Sequence, residues 1–249
     1  MEKMIVDNIE VEVHRNYYET GELNQEWLQT TYELHGYHKT FYKSGQLKQH
    51  IEYRKNEWFG VDNRYFENGN IEQQVTRLND SLYLNEAWFS NGIKRHEYNQ
   101  NSKRQRIGNE TVWFENGNLN VQIIFSDSSF LNGDHLTFYE NGKVQLKARY
   151  ENGLFKVEDF YTGDGIKTLS LGDGFIETYK NNKLKSFDIY KNGLRNGICK
   201  LYSEDGVLRN EANFVDGKSN GKSIWYKANG EIEEIIYMEN DVMTHRERN

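Results

Sequence analysis

Residues 190–230 read Tyr190-Lys191-Asn192-Gly193-Leu194-Arg195-Asn196-Gly197, then Leu201-Tyr202, Asp205-Gly206, Phe214-Val215-Asp216-Gly217, Gly221, Trp225-Tyr226 and Asn229-Gly230. An aromatic pair, a Gly turn, a second ring and a second Gly turn follow one another and then begin again. A helix does not tolerate this order. Gly recurs about every dozen residues, at roughly 1 kcal/mol each in a helix interior, and no apolar residues recur at three- and four-residue spacing. The unit predicted is strand, tight turn, strand, second turn.

The same order extends over the whole chain. Aromatic doublets stand at Tyr17-Tyr18, Phe41-Tyr42, Tyr65-Phe66, Trp88-Phe89, Trp113-Phe114, Phe138-Tyr139 and Phe160-Tyr161, with Thr178-Tyr179 and Leu201-Tyr202 in the same slot before Trp225-Tyr226. Their second members step by 22–25 residues, except for one interval of 18 between Tyr161 and Tyr179. Each doublet is followed by a turn signal such as Ser44-Gly45, Asn68-Gly69 or Asn141-Gly142, and two places later usually by an aliphatic residue: Leu23, Leu47, Ile71, Leu119, Val144, Leu208, Ile232. Asn-Gly and Asp-Gly favour type I′ turns, in which both central residues need positive φ. A further Gly lies nine residues before the turn Gly, as in Gly36 and Gly45 or Gly221 and Gly230. The expected fold is all-β: an elongated, twisted antiparallel meander of about ten tandem β-hairpin repeats. Residues 1–13, where Ile9, Val11 and Val13 alternate with Glu10 and Glu12, are expected to form an N-terminal capping strand. Residues 14–240 hold the repeats and 241–249 a charged C-terminal tail, all in one domain.

Composition agrees. Among 249 residues there are 17 Tyr, 13 Phe, 5 Trp and 21 Gly but no Pro, so turns must run on Gly and Asn. Only 36% of residues are apolar, which predicts a thin core built from rings. No apolar stretch approaches the length of a membrane-spanning helix, the N-terminus lacks a signal core, and the lone Cys199 cannot form an internal disulfide, so a cytoplasmic chain is expected. Net charge is −7. That disfavours nucleic acid and anionic membrane surfaces and favours a basic protein partner.

Neighbouring residues in a strand face opposite sides, so each doublet places one ring on each face. The second members, aromatic in every repeat, read as a structural ladder. The first members vary among large rings, which suits a recognition face. Phe41, Tyr65, Trp88, Trp113 and Phe138 are therefore the expected partner-binding anchors. In the late repeats the doublet stands one residue further from the turn, a shift that would exchange faces unless a bulge absorbs it.

Chemistry-bearing motifs are few. There is no His-Glu-x-x-His, Cys-x-x-Cys or Gly-x-Ser-x-Gly, and Gly217 to Ser223 has three residues between its glycines where a phosphate loop needs four. His35 and His38 read as surface residues and not as metal ligands. No enzymatic activity, cofactor or metal is expected.

The recurring Tyr-x-Asn-Gly-x-Leu, with aromatic-x-Asn/Asp-Gly-x-x-x-Gly between copies, resembles the MORN (membrane occupation and recognition nexus) repeat family, and within it the variant repeats of bacterial YwqK-type proteins often labelled antitoxins. Residues 190–230 carry the likeness best; it weakens over 77–110 and 161–182. The resemblance implies a hairpin stack that works by binding: an antitoxin or immunity protein that neutralises a basic toxin or effector domain, with a general interaction scaffold or a phospholipid-binding surface protein as the other roles.

Overall fold

The structure is a computed structural model that describes residues 2–125 and 131–248. Every regular element among the described residues is a β-strand, and within each compact unit successive strands pair antiparallel, except that β18 and β19 both pair with β17. The chain forms two compact units, Met1–Phe130 and Leu131–Asn249.

The first unit is a meander of β1 (Lys3–Val6), β2 (Ile9–Tyr17), β3 (Leu23–Gln29), β4 (Leu34–Phe41), β5 (Leu47–Arg54), β6 (Glu57–Tyr65), β7 (Ile71–Asn79), β8 (Leu82–Trp88), β9 (Lys94–Asn101), β10 (Arg106–Trp113) and β11 (Leu119–Phe125). The second continues with β12 (Leu131–Phe138), β13 (Val144–Glu151), β14 (Leu154–Tyr161), β15 (Lys167–Ser170), β16 (Asp173–Lys180) and β17 (Lys183–Lys191). It ends with the short β18 (Leu194–Arg195), then β19 (Gly197–Tyr202), β20 (Leu208–Val215), β21 (Lys218–Tyr226), β22 (Ile232–Glu239) and β23 (Val242–Arg248). The all-β hairpin repeat read from the sequence is the observed one.

Two kinds of turn alternate. After each doublet except Thr178-Tyr179, which is followed by Asn181-Asn182 at paired positive φ, the chain makes a tight turn closed by a Gly: Gly45 N–H donates to Tyr42 C=O at 2.9 Å and Tyr42 N–H to Gln46 C=O at 2.8 Å. Only Gly45 has positive φ there, at 85°. This is the longer hairpin loop in which a left-handed Gly forms a bulge, not the type I′ turn expected for these positions. The Asn before the Gly serves differently: Asn68 Oδ1 accepts the Asn70 N–H at 3.0 Å. Type I′ geometry occurs at the other kind of turn, with paired positive φ at Asn152 and Gly153 (51° and 78°) and at Asp216 and Gly217 (49° and 83°).

The Gly nine residues upstream lies inside a strand. Gly36 has φ 106°, and the β3–β4 register slips there, with Trp27 opposite His38 but Gln29 opposite Leu34. A Cβ on Gly36 would stand 2.7 Å from Leu28 Cδ1. The Gly therefore builds a bulge that bends the strand over the core.

That core is thin, as composition predicts, but its fully buried part is aliphatic rather than aromatic. Val11, Val13 and Leu28 form the cluster of the first unit, with Val6, Ile9 and Tyr37 against it. Val157, Phe160, Leu169 and Ile176 form that of the second. Most rings are half-buried and line up across strands: His14 stacks on Trp27 at 5.4 Å, and Trp27 meets His38 edge-on at 6.2 Å. Two terminal expectations change. Residues 3–17 form a hairpin, turning at Asp7-Asn8, not a single strand. The expected charged tail carries β23, whose Arg246 and Arg248 both pair with Glu234 on β22. All of β23 is exposed nonetheless.

Candidate binding surface

At nine of the ten doublets the last residue of the strand is aromatic. In the first unit these are Tyr17, Phe41, Tyr65, Trp88 and Trp113; each pairs with the first residue of the next strand across a register shift, as in Phe41 with Leu47 and Trp113 with Leu119. In the second unit the same position holds Phe138, Tyr161, Tyr202 and Tyr226, whereas Tyr179 stands one residue before the end of β16 and pairs with Leu184, the second residue of β17. All ten rings retain some exposure, from half-buried to 58% for Tyr17 and 60% for Tyr179.

This differs from the face assignment expected from the doublets. In the late repeats the tight turn starts one residue beyond the doublet, at Thr162, Ser203 and Lys227. There it is the second member, not the first, that ends the strand. Phe160, Leu201 and Trp225 fall one place earlier, on the other face; Phe160 is buried in the core while Leu201 and Trp225 remain partly exposed. The row kept in nine of the ten repeats is therefore the strand-end row, to which all five expected anchors belong.

The early second members leave the strand and work as edge ties. Tyr18 Oη donates to Phe41 C=O at 2.7 Å, Tyr42 Oη to Tyr65 C=O at 2.8 Å and Tyr139 Oη to Tyr161 C=O at 2.8 Å. Each bond joins one hairpin to the strand-end residue of the next. Where Phe66 stands, Asn68 and Asn70 amides donate to Ser90 C=O instead, at 2.9 and 2.8 Å.

Two expected anchors meet around a cation. The Lys94 ammonium lies 5.7 Å from the Trp88 ring centroid and 5.9 Å from that of Trp113. It pairs with Glu86 at 2.6 Å and Glu97 at 2.7 Å. Burial works against the charge, but the hydrogen bonds to the two carboxylates prevail and hold the Lys94 pKa above its ordinary value. Lys94 occupies the slot that is aliphatic in most repeats. The other exception, Lys167, likewise lies over a row ring, 5.0 Å from Tyr161. Phe41, Tyr65 and Phe138 have no such cation over them among the described contacts.

Other charged groups were not legible from spacing. Glu110 is buried between His96 Nε2 at 2.6 Å and Arg106 Nη1 at 2.5 Å. Burial raises its pKa, but hydrogen bonds and charge from His96 and Arg106 outweigh that and bring it below the usual carboxylate range. Tyr37, pushed up to about 12 by burial and by its bond to Glu26, joins an Arg15–Glu26–Tyr37 chain. Cys199 is buried, which drives its thiol to about 11 and leaves it unreactive at neutral pH. Against the expectation of two surface histidines, His35 is buried, beside Asp7, and His38 is half-buried against Trp27 and Tyr53, and the two do not converge.

Comparison with known families bears on the repeats. The MORN repeat variant matches residues 34–55, 131–152 and 195–216, about a quarter of the chain. Each matched segment is one hairpin, β4–β5, β12–β13 or β18–β20, entered through the upstream Gly and left at a type I′ turn. No curated protein matches the chain. Repeated hairpins of this kind make a repeat-based binding protein.

Proposed function

We propose that the chain is a non-enzymatic protein-binding repeat protein whose strand-end ring row docks a basic protein domain, and that it acts as an antitoxin or immunity protein by covering that domain. One observation carries the reading: nine hairpins keep a large ring at the strand-end position, and none of the nine is withdrawn fully from solvent. Rings needed only for packing would be buried, whereas half-exposed Trp and Tyr are the residues that anchor interfaces. The acidic balance, 38 Asp and Glu against 31 Lys and Arg, supplies the sign of the partner. Lys94 between Trp88 and Trp113 supports it further, because it displays within the molecule how this row receives a cation.

The test is affinity capture from the native host at low and moderate salt, with the wild-type chain and Trp113→Ala side by side. The expected result is one stoichiometric basic protein, bound less at higher salt and lost in the variant, while the β-sheet circular dichroism is unchanged. Several weak partners retained by the variant would indicate a scaffold. An acidic partner, or none, would reject the reading.

A further inference from the structure

The interval of 18 residues between Tyr161 and Tyr179 has a structural consequence within the second unit. β15 is only four residues long, and it pairs with β16 through Leu169–Gly174 and Ser170–Asp173 alone. Thr168 Oγ1 reaches the Phe175 C=O at 2.8 Å, and there the contact ends. Beyond it, β16 runs on to Lys180 with β17 on one side and, among the described residues, no strand on the other. An unpaired strand edge thus lies inside the sheet, where a full-length repeat would have put the rest of β15.

The space left is a cavity of about 520 Å³. Thr162, Asp164 and Ile166 form one wall and Glu177, Thr178 and Tyr179 the other. Ile166 is 63% exposed and Tyr179 60%, so the cleft presents apolar surface at its mouth. The charged residues lining it are both acids, Asp164 and Glu177. The cations next in sequence to lining residues have carboxylate partners elsewhere: Lys167 with Asp159 at 3.1 Å and Lys180 with Glu204 at 2.6 Å.

From this geometry we propose that the cleft is a docking slot for an extended peptide segment of alternating basic and apolar residues, which adds to Glu177–Lys180 as the missing half-strand. Main-chain groups of β16 give the affinity, as in other strand additions. Glu177 and Tyr179 share one face of β16, where Tyr179 Oη donates to Glu177 at 2.7 Å, and with Asp164 they take the basic side chains; the alternating apolar ones fall on the opposite face, beside Phe160. The slot goes beyond the ring row of the first unit and does not depend on it.

The probe is a fluorescent hexapeptide, Thr-Lys-Val-Arg-Val-Lys, with a twin N-methylated at alternate amides and a second twin bearing Glu in place of Lys and Arg. Anisotropy should show binding of the first peptide only. Amide hydrogen exchange should slow at residues 177–180 when it is bound. The double variant Asp164→Lys with Glu177→Lys should weaken the basic peptide by about tenfold or more and admit the acidic twin. Trp113→Ala should leave peptide binding unchanged, which separates this slot from the ring row. Equal binding of the N-methylated twin, unchanged exchange at 177–180 under saturating peptide, or no binding of the basic peptide would each overturn the proposal.

Discussion

In the first unit Tyr42 leaves its strand, enters the turn and ties its hydroxyl to Tyr65 C=O; in the second, Tyr139 still does so to Tyr161 C=O, but after it Thr162, Ser203 and Lys227 stand at that turn position. The difference is one residue of phase. It takes the second ring of the doublet out of the turn and sets the first on the opposite face, where Phe160 joins Val157, Leu169 and Ile176. The first unit thus spends its doublets on edge ties and a strand-end row, and among the described residues its buried cluster is Val11, Val13 and Leu28. The second keeps the row and diverts one ring to the interior. A repeat can therefore shift stability between edge and core without changing its outward row, because strand alternation makes a one-residue slip equivalent to a change of face.

The largest effect should separate Phe41 from Phe160, which look equivalent as first members of their doublets. Phe160→Ala empties a buried site and should cost about 3–5 kcal/mol. Phe41→Ala removes a half-exposed ring and should cost about 1 kcal/mol. Urea unfolding followed by circular dichroism measures both, and equal losses would erase the distinction between core and row. Next come two glycines. Gly36→Ala meets both a φ of 106° and Leu28 at 2.7 Å, and should cost about 3 kcal/mol. Gly45→Ala meets open space at φ 85°, so only the backbone conformation is strained and about 1 kcal/mol is expected. If the two variants lost equal stability, the bulge at Gly36 would not be set by its closeness to Leu28.

Much of this was open to reading in the amino-acid order. Gly and ring recurrence specifies hairpins because few other structures accept Gly at that density, and the five anchors expected from periodicity do share one strand-end position. The phase of the late doublets was also written there: Tyr42 stands three residues before Gly45, but Tyr161, Tyr202 and Tyr226 stand four before Gly165, Gly206 and Gly230. The aromatic pair masks it, because either member can end the strand. Turn type was hidden for a related reason. Asn-Gly serves both turn kinds, and loop length decides between them. The Glu110 cluster could not be foreseen, since it joins residues whose meeting depends on the register slip between Ile107 and Glu110.

The edge ties give a smaller test of the same contrast. Tyr42→Phe deletes the bond to Tyr65 C=O and should cost about 1 kcal/mol. Tyr202→Phe, which removes a hydroxyl of the strand-end row and no such tie, should cost less. Comparable losses would mean that the Tyr42 bond contributes nothing particular to the edge.

Acid should distinguish the units least, but with a defined sign. Burial lowers the pKa of His38 and His50 in the first unit and of His135 in the second below the ordinary 6.5. Above pH 6.5 these imidazoles are neutral whether the chain is folded or not, and stability does not depend on them. As pH falls below 6.5 the unfolded chain takes up protons first, so stability declines until the depressed folded values are reached. The carboxylates enter only lower: Glu110, held below its ordinary 4.5 despite burial, contributes stability that is lost as pH drops through the acid range. Two such histidines against one predict a steeper decline between pH 6.5 and 5 for the first unit than for the second. Hydrogen exchange of core amides in β3 and β14 across that range reads the two units separately, and His38→Gln should flatten the first slope. A slope unchanged by that substitution would place the acid sensitivity of the first unit elsewhere than in its buried ring ladder.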